Sequence, residues 1–341
     1  MRVFITGTAG FIGFHLAQRL LGEGHEVFGY DGLTPYYDVG LKRARNAVLM
    51  RSQGYRFVEG MLEDRALLDS SMAEARPDLV VHLAAQAGVR YSLEHPDAYL
   101  SSNLSGTFNL LDAAARARPK HVLVASSSSV YGGNTKLPFA ETDRTDFPVS
   151  LYAASKRATE AMAHSAAHLS GIPVTCFRFF TVYGPWGRPD MALYKFVDAI
   201  EAGDSIEVYG EGRMRRDATD VHDLVEAIAR LMAAVPEAGQ AVGDFDSVSP
   251  VAPWRVVNIA GGRPVELLDL IAAIEAALGR VAIRRLLPMQ PGDAVETFAD
   301  NRLLKTLTGY VPATPIAETV AAFVVWYRDY RASAASTANS V

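Results

Sequence analysis

The sequence predicts an α/β protein: a doubly wound parallel sheet joined to a smaller, discontinuous C-terminal domain. Three observations predict it. Short apolar runs rich in Val, Ile and Phe alternate with helical patterns from residue 2 to about residue 180, the rhythm of βαβ units. A glycine triplet, Gly7, Gly10 and Gly13, sits between the first strand and the first helix. The alternation then stops, broken by Pro185, Gly187 and Pro189.

The elements follow in order. Residues 2–6 read as a strand, and residues 11–21 carry helical periodicity. Residues 25–30, 55–59 and 78–82 are further strands, with a helix at 64–75. Residues 97–117 read as one long helix and 121–125 as a buried strand. An alanine-rich helix at 151–169 precedes a strand at 173–177. The pattern assigns 1–184 and about 221–259 to a dinucleotide-binding Rossmann domain. About 185–220 and 260–330 form the substrate-binding domain, 239–253 a surface loop, and 332–341 a disordered tail.

Composition narrows the function classes. With 341 residues, 49% apolar and 21% charged, the chain is long enough for two packed domains. Its net charge of −5 argues against a nucleic-acid or anionic-membrane partner. Cys176 is the sole cysteine, which excludes a disulfide framework, and the histidines show no ligand spacing, so no metal is assigned. The apolar run from Val3 to Phe14 lacks an A-x-A-like cleavage site and is read as strand, turn and helix rather than a leader. No 18-residue apolar window is present, and a cytoplasmic protein is expected.

The glycine triplet permits a tight turn, close approach to a pyrophosphate, and a helix N-terminus aimed at it. Asp31 ends the second strand 18 residues past Gly13. Its carboxylate suits a ribose diol and repels a 2′-phosphate, so NAD is favoured over NADP. Tyr152 and Lys156 stand four apart on one helix face. A phenol with a pKa of about 10 is a poor base, but a neighbouring cation favours the phenolate. Taken alone, such a pair is as readily a surface Tyr and a solvated Lys. Ser126, Ser127, Ser128 and Ser129 follow a predicted strand, which gathers their hydroxyls at the ligand-binding edge of the sheet.

These motifs resemble the extended short-chain dehydrogenase/reductases that act on nucleotide sugars. The matches are the glycine triplet, Leu83-Ala84-Ala85, Asn103 with Gly106 and Thr107, and Tyr152 with Lys156. Within that group the sequence is most similar to UDP-glucuronate 4-epimerases. The matching stretches are 31–45, 86–92, 289–293, Trp326 with Tyr327 and, most specifically, 179–191. The resemblance implies that Gly7, Gly10, Phe11, Ile12, Gly13, Asp31, Leu83, Ala84, Ala85, Tyr152 and Lys156 hold NAD. It makes Ser127 and Tyr152 the groups that meet the sugar O4, and Lys156 the residue that tunes Tyr152. A 4-keto hexuronic acid is a β-keto acid and loses CO2 readily, so its carboxylate must be held. Arg188 offers a fork for it, with Ser128, Ser129 and Thr181 as hydroxyl donors. Arg90, Tyr209, Arg216, Gln290 and Asp293 complete the UDP-sugar contacts that the resemblance implies.

Absent residues matter too. Related 4,6-dehydratases carry an Asp-Glu pair where Ser128 and Ser129 stand, and decarboxylases carry a Glu there; epimerisation is what remains. The chain departs from the resemblance at Met61, where an adenine-contacting Asp is usual, and at Ala218, where an aromatic is usual. A UDP-hexose 4-epimerase and a catalytically silent NAD-binding regulator stay open as alternatives. The apolar helices at 97–117 and 151–169 imply a homodimer.

Overall fold

The computed structural model describes residues 1–289 and 295–338. The predicted contacts Gln290 and Asp293 lie outside the described residues. Among those described, seven strands form one sheet in the order Trp254–Ile259, Val174–Phe179, His121–Ala125, Leu79–His82, Arg2–Thr6, Glu26–Asp31, Tyr55–Glu59. Every neighbouring pair is parallel, with Val3 beside Val27 on one side and Leu79 on the other.

The strands are apolar throughout because both faces of the sheet are covered. Val3 and Ile5 point to the layer of Phe14, Leu16, Leu224 and Ile228. Phe4 and Val80 point to the opposite layer, with Leu68, Leu110, Ala163 and Ala167. The carboxyl ends of the central strands therefore open onto one edge, where the glycine turn, the serines and Asp31 all emerge.

Two helices set the site. Phe11–Gly22 begins on Gly10 and has no side-chain cap. Leu151–Ser170 is capped by Ser150, whose hydroxyl accepts from the Ala153 N–H at 3.1 Å, and ends on Gly171 with φ of 73°. The long helix expected at 97–117 runs unbroken from Pro96 to Ala117, but its middle is π-helical: Pro96–Ala98 leads into a π stretch Tyr99–Gly106 and then the α-helix Thr107–Ala117. The widened turn seats Asn103, whose side chain accepts from the Gln86 N–H at 2.8 Å and donates to the Gln86 carbonyl and Ser155 Oγ, each at 3.0 Å.

A second core lies beside the first, around Val197, Ile206, Val208, Ile271 and Phe323. Its strand Arg215–Asp220 pairs with Thr181–Tyr183, Pro264–Glu266 and Glu296–Thr297, and Ser205–Tyr209 pairs with Ile283–Leu287. The final helix, Ile316–Ala338, continues past Ala332, so the tail expected to be disordered from there is helical through Ala338. Its alanines favour helix once the preceding turns are packed.

Candidate active site

A cleft of about 270 Å³ runs along the carboxyl edge of the sheet, and all eleven residues assigned to the cofactor line it. The glycine turn fits a pyrophosphate. Gly7 has φ of +82°, and a Cβ there would lie 2.7 Å from the Ala84 nitrogen; one on Gly13 would lie 2.0 Å from the Gly7 carbonyl oxygen. Asp31 is fixed by two backbone N–H groups, from Ala9 to Oδ2 at 3.0 Å and from Leu33 to Oδ1 at 2.8 Å. Burial pushes its carboxyl pKa up, and those two N–H groups oppose the push. Carboxylate lone pairs remain for a ribose diol.

Tyr152, Lys156 and Ser127 converge further along the same cleft. Burial pushes the Tyr152 phenol up, while a hydrogen bond from Ser127 and the charge of Arg188 pull it down. The sequence reading gave Lys156 the leading part in lowering this pKa. In the structure Ser127 and Arg188 oppose the upward push of burial, and Lys156 Nζ donates to the Ala125 carbonyl at 2.9 Å. Burial lowers Lys156 itself to about 8. Ser127 is in turn oriented by the Ser129 N–H, which donates to its Oγ at 3.1 Å. Ser128 and Ser129 open a short turn beside the cleft and do not line it or its neighbour.

A second cavity, of about 700 Å³, is lined by Arg90, Thr181, Tyr209 and Arg216. Tyr36 and Met191 line both cavities. The Arg90 guanidinium lies 5.5 Å from the centre of the Tyr209 ring, and Tyr209 donates to Glu207 at 2.6 Å. Arg188 lines the first cleft, but its fork is not open: Nε and Nη2 bind Asp190 at 2.9 and 2.6 Å. Burial works against the Arg188 charge, yet Asp190 outweighs it and raises its pKa.

Several site residues were given no role in the sequence reading. Tyr36 donates to Asp190 Oδ2 at 3.0 Å. Arg45, fully buried, donates to the carbonyls of Ala9 at 2.9 Å and Trp186 at 2.5 Å and to the Tyr37 hydroxyl at 2.7 Å. It thus ties the glycine turn to the loop that carries Arg188. Beneath the serines, Glu160 accepts from Ser126 at 2.6 Å and from Arg178 at 2.8 and 2.9 Å. Glu160 follows Lys156 by four residues, so its shared helix face was a usable signal. Arg45 gave none. Among the described residues no cluster of His, Cys, Asp and Glu could hold a metal, and no helix is long and apolar enough to cross a membrane.

A glycine cradle, an acid at a strand end and a buried Ser-Tyr-Lys set on one sheet edge define a nucleotide-dependent enzyme of the Rossmann class. The chain belongs to the NAD dependent epimerase/dehydratase family, whose model matches residues 3–244. It is 57% identical over 335 residues to a probable UDP-glucuronate 4-epimerase of Rhizobium meliloti (strain 1021), covering 97% of this chain and 98% of that one. It is 43% identical over 333 residues to UDP-glucuronate 4-epimerase 4 of Arabidopsis thaliana, covering 96% and 75%. The fold matches a UDP-glucuronic acid 4-epimerase from Bacillus cereus, solved with UDP-glucuronic acid and NAD, at a TM-score of 0.83 and 27% identity, covering 97% and 100%.

Proposed function

We propose that the chain interconverts UDP-glucuronate and UDP-galacturonate by epimerisation at C4, with NAD as a retained cofactor. The observation that carries this reading is the convergence of Ser127, Tyr152 and Lys156 on the cleft that holds the glycine turn and Asp31; burial raises the Tyr152 phenol, and the Ser127 hydroxyl and the Arg188 charge oppose that rise. NAD, held by the glycine turn, Asp31 and Lys156, would supply the hydride acceptor and donor for the sugar C4. Tyr152 takes the O4 proton as C4 is oxidised and returns it to O4 when C4 is reduced from the sugar's other face. Ser127 steadies O4 through its hydroxyl, and Lys156, anchored on the Ala125 carbonyl, would hold the nicotinamide ribose. The 4-keto sugar turns over within the 700 Å³ cavity before reduction. Arg188 restrains the carboxylate so that its bond to C5 stays out of line with the carbonyl π system, which suppresses loss of CO2.

A second reading, a neutral UDP-hexose 4-epimerase, is favoured by one observation: Asp190 already fills the Arg188 fork. Incubation of purified protein with UDP-glucuronate, with UDP-glucose in parallel, separates the two. The expected product is UDP-galacturonate, without added NAD and without CO2 release; conversion of UDP-glucose alone would install the second reading. Exposed Leu100, Phe108 and Leu169 on the two long helical stretches support a homodimer, read out by light scattering. The lone, buried cysteine supports a reducing, cytoplasmic setting.

A further inference from the structure

We propose that Glu63 is the residue that reads the adenine ring of the cofactor, by accepting a hydrogen bond from its 6-amino group. The proposal rests on the assignment of NAD to this cleft. The cleft has two ends. One holds Ser127, Tyr152 and Lys156, where hydride chemistry needs the nicotinamide. The other is formed by residues 60–63, which leave the edge strand Tyr55–Glu59, and by Ser102. The pyrophosphate turn and Asp31 lie between them, so an extended dinucleotide places its adenine beside Glu63.

Glu63 is prepared for a donor. Its Oε1 accepts from Ser102 Oγ at 2.9 Å, which fixes the carboxylate, while Oε2 is buried without a hydrogen-bond partner. A buried polar atom left unpaired is costly, and one that lines a ligand cleft is explained by a group the ligand brings. The neighbours do not compete for that role. Met61 presents a thioether, packed so closely on Gly32 that a Cβ there would lie 2.3 Å from its sulfur, and Leu62 is buried and apolar. A carboxylate only accepts. It therefore binds the 6-amino group of adenine and repels the 6-oxo group of hypoxanthine.

The test is a binding measurement, independent of turnover. Protein freed of bound dinucleotide is titrated calorimetrically with NAD and with nicotinamide hypoxanthine dinucleotide. The wild type is expected to prefer NAD by about tenfold to a hundredfold. In Glu63→Gln the amide can turn either its oxygen or its nitrogen toward the base, so the preference is expected to shrink to about threefold or less. Ser102→Ala, which keeps the carboxylate, retains the preference. Equal affinities in the wild type, or an unchanged ratio in Glu63→Gln, would overturn the role of Glu63 alone. Failure of both dinucleotides to bind would overturn the cofactor assignment and this proposal with it. If Glu63→Gln does not fold, Glu63→Met takes its place in the same titration, with the same loss of preference expected.

Discussion

Arg188 grips Asp190 with a two-point fork, Nε to Oδ1 at 2.9 Å and Nη2 to Oδ2 at 2.6 Å. The pair is held from outside by Tyr36, which donates to the same Oδ2, and by Arg45, which anchors the Trp186 carbonyl two residues before Arg188. A substrate carboxylate must share this guanidinium with Asp190 or displace it.

Asp190→Asn keeps the shape and removes the competing charge. The KM for UDP-glucuronate is expected to fall by about threefold to tenfold, with that for UDP-glucose unmoved. Arg188→Ala is expected to cost about a hundredfold in kcat/KM on UDP-glucuronate and to release CO2, which trapped radiolabel detects. No change in either variant would place the carboxylate elsewhere.

Lys156 trades stability for chemistry. Burial lowers its pKa from 10.5 to about 8, so the unfolded chain binds more protons between those values and the protein gains stability as pH rises through that window. Lys156→Met removes the buried charge. The cofactor-free variant is expected to be more stable at pH 7 by about 1–3 kcal/mol, an advantage that fades toward pH 10.5, while turnover drops by about 10²–10⁴. Urea denaturation at pH 7 and pH 10 reads the first effect.

Acid should unfold the protein early. Burial lowers His15 and His82 to about 3 and His121 to about 4. The unfolded chain protonates near 6.5 and the folded one does not, so stability is present above pH 6.5 and is lost as pH falls, by about 1.4 kcal/mol per pH unit for each histidine. Glu141, raised by burial from 4.5 to about 7, works in the opposite sense between those values. His82→Asn is expected to flatten the acid slope of denaturation midpoints between pH 6.5 and 5, and Glu141→Gln to steepen it. Parallel slopes in all three proteins would refute this account.

Gly13→Ala places a methyl 2.0 Å from the Gly7 carbonyl oxygen. Something in the phosphate turn must move, and purified variant is expected to carry little or no NAD, as judged by absorbance of the acid-released cofactor. Full occupancy would mean that the turn is not the pyrophosphate site.

Much of the site was legible because it depends on local geometry. Tyr152 and Lys156 share a helix face by their spacing, and the glycines stand in a strand-to-helix turn, where only backbone conformation is at stake. Ser127 and Asp31 end strands of a parallel sheet, so their common edge followed from the alternation of elements. The helix at 97–117 was legible but its π-helical middle was not, since a π turn only moves each hydrogen bond from the fourth to the fifth residue back, and apolar periodicity does not register it.

By itself, then, the sequence determined the sheet, its ligand edge and the residues gathered there, because periodicity, glycine placement and strand ends act over a few residues. Only the tertiary structure decided how those residues are charged and paired. Burial raises Tyr152 and lowers Lys156, Asp190 from the same loop fills the Arg188 fork, and Glu63 meets Ser102 across 39 residues with one oxygen left over. Desolvation and hydrogen-bond partners depend on which surfaces meet in space, and no window of sequence contains them.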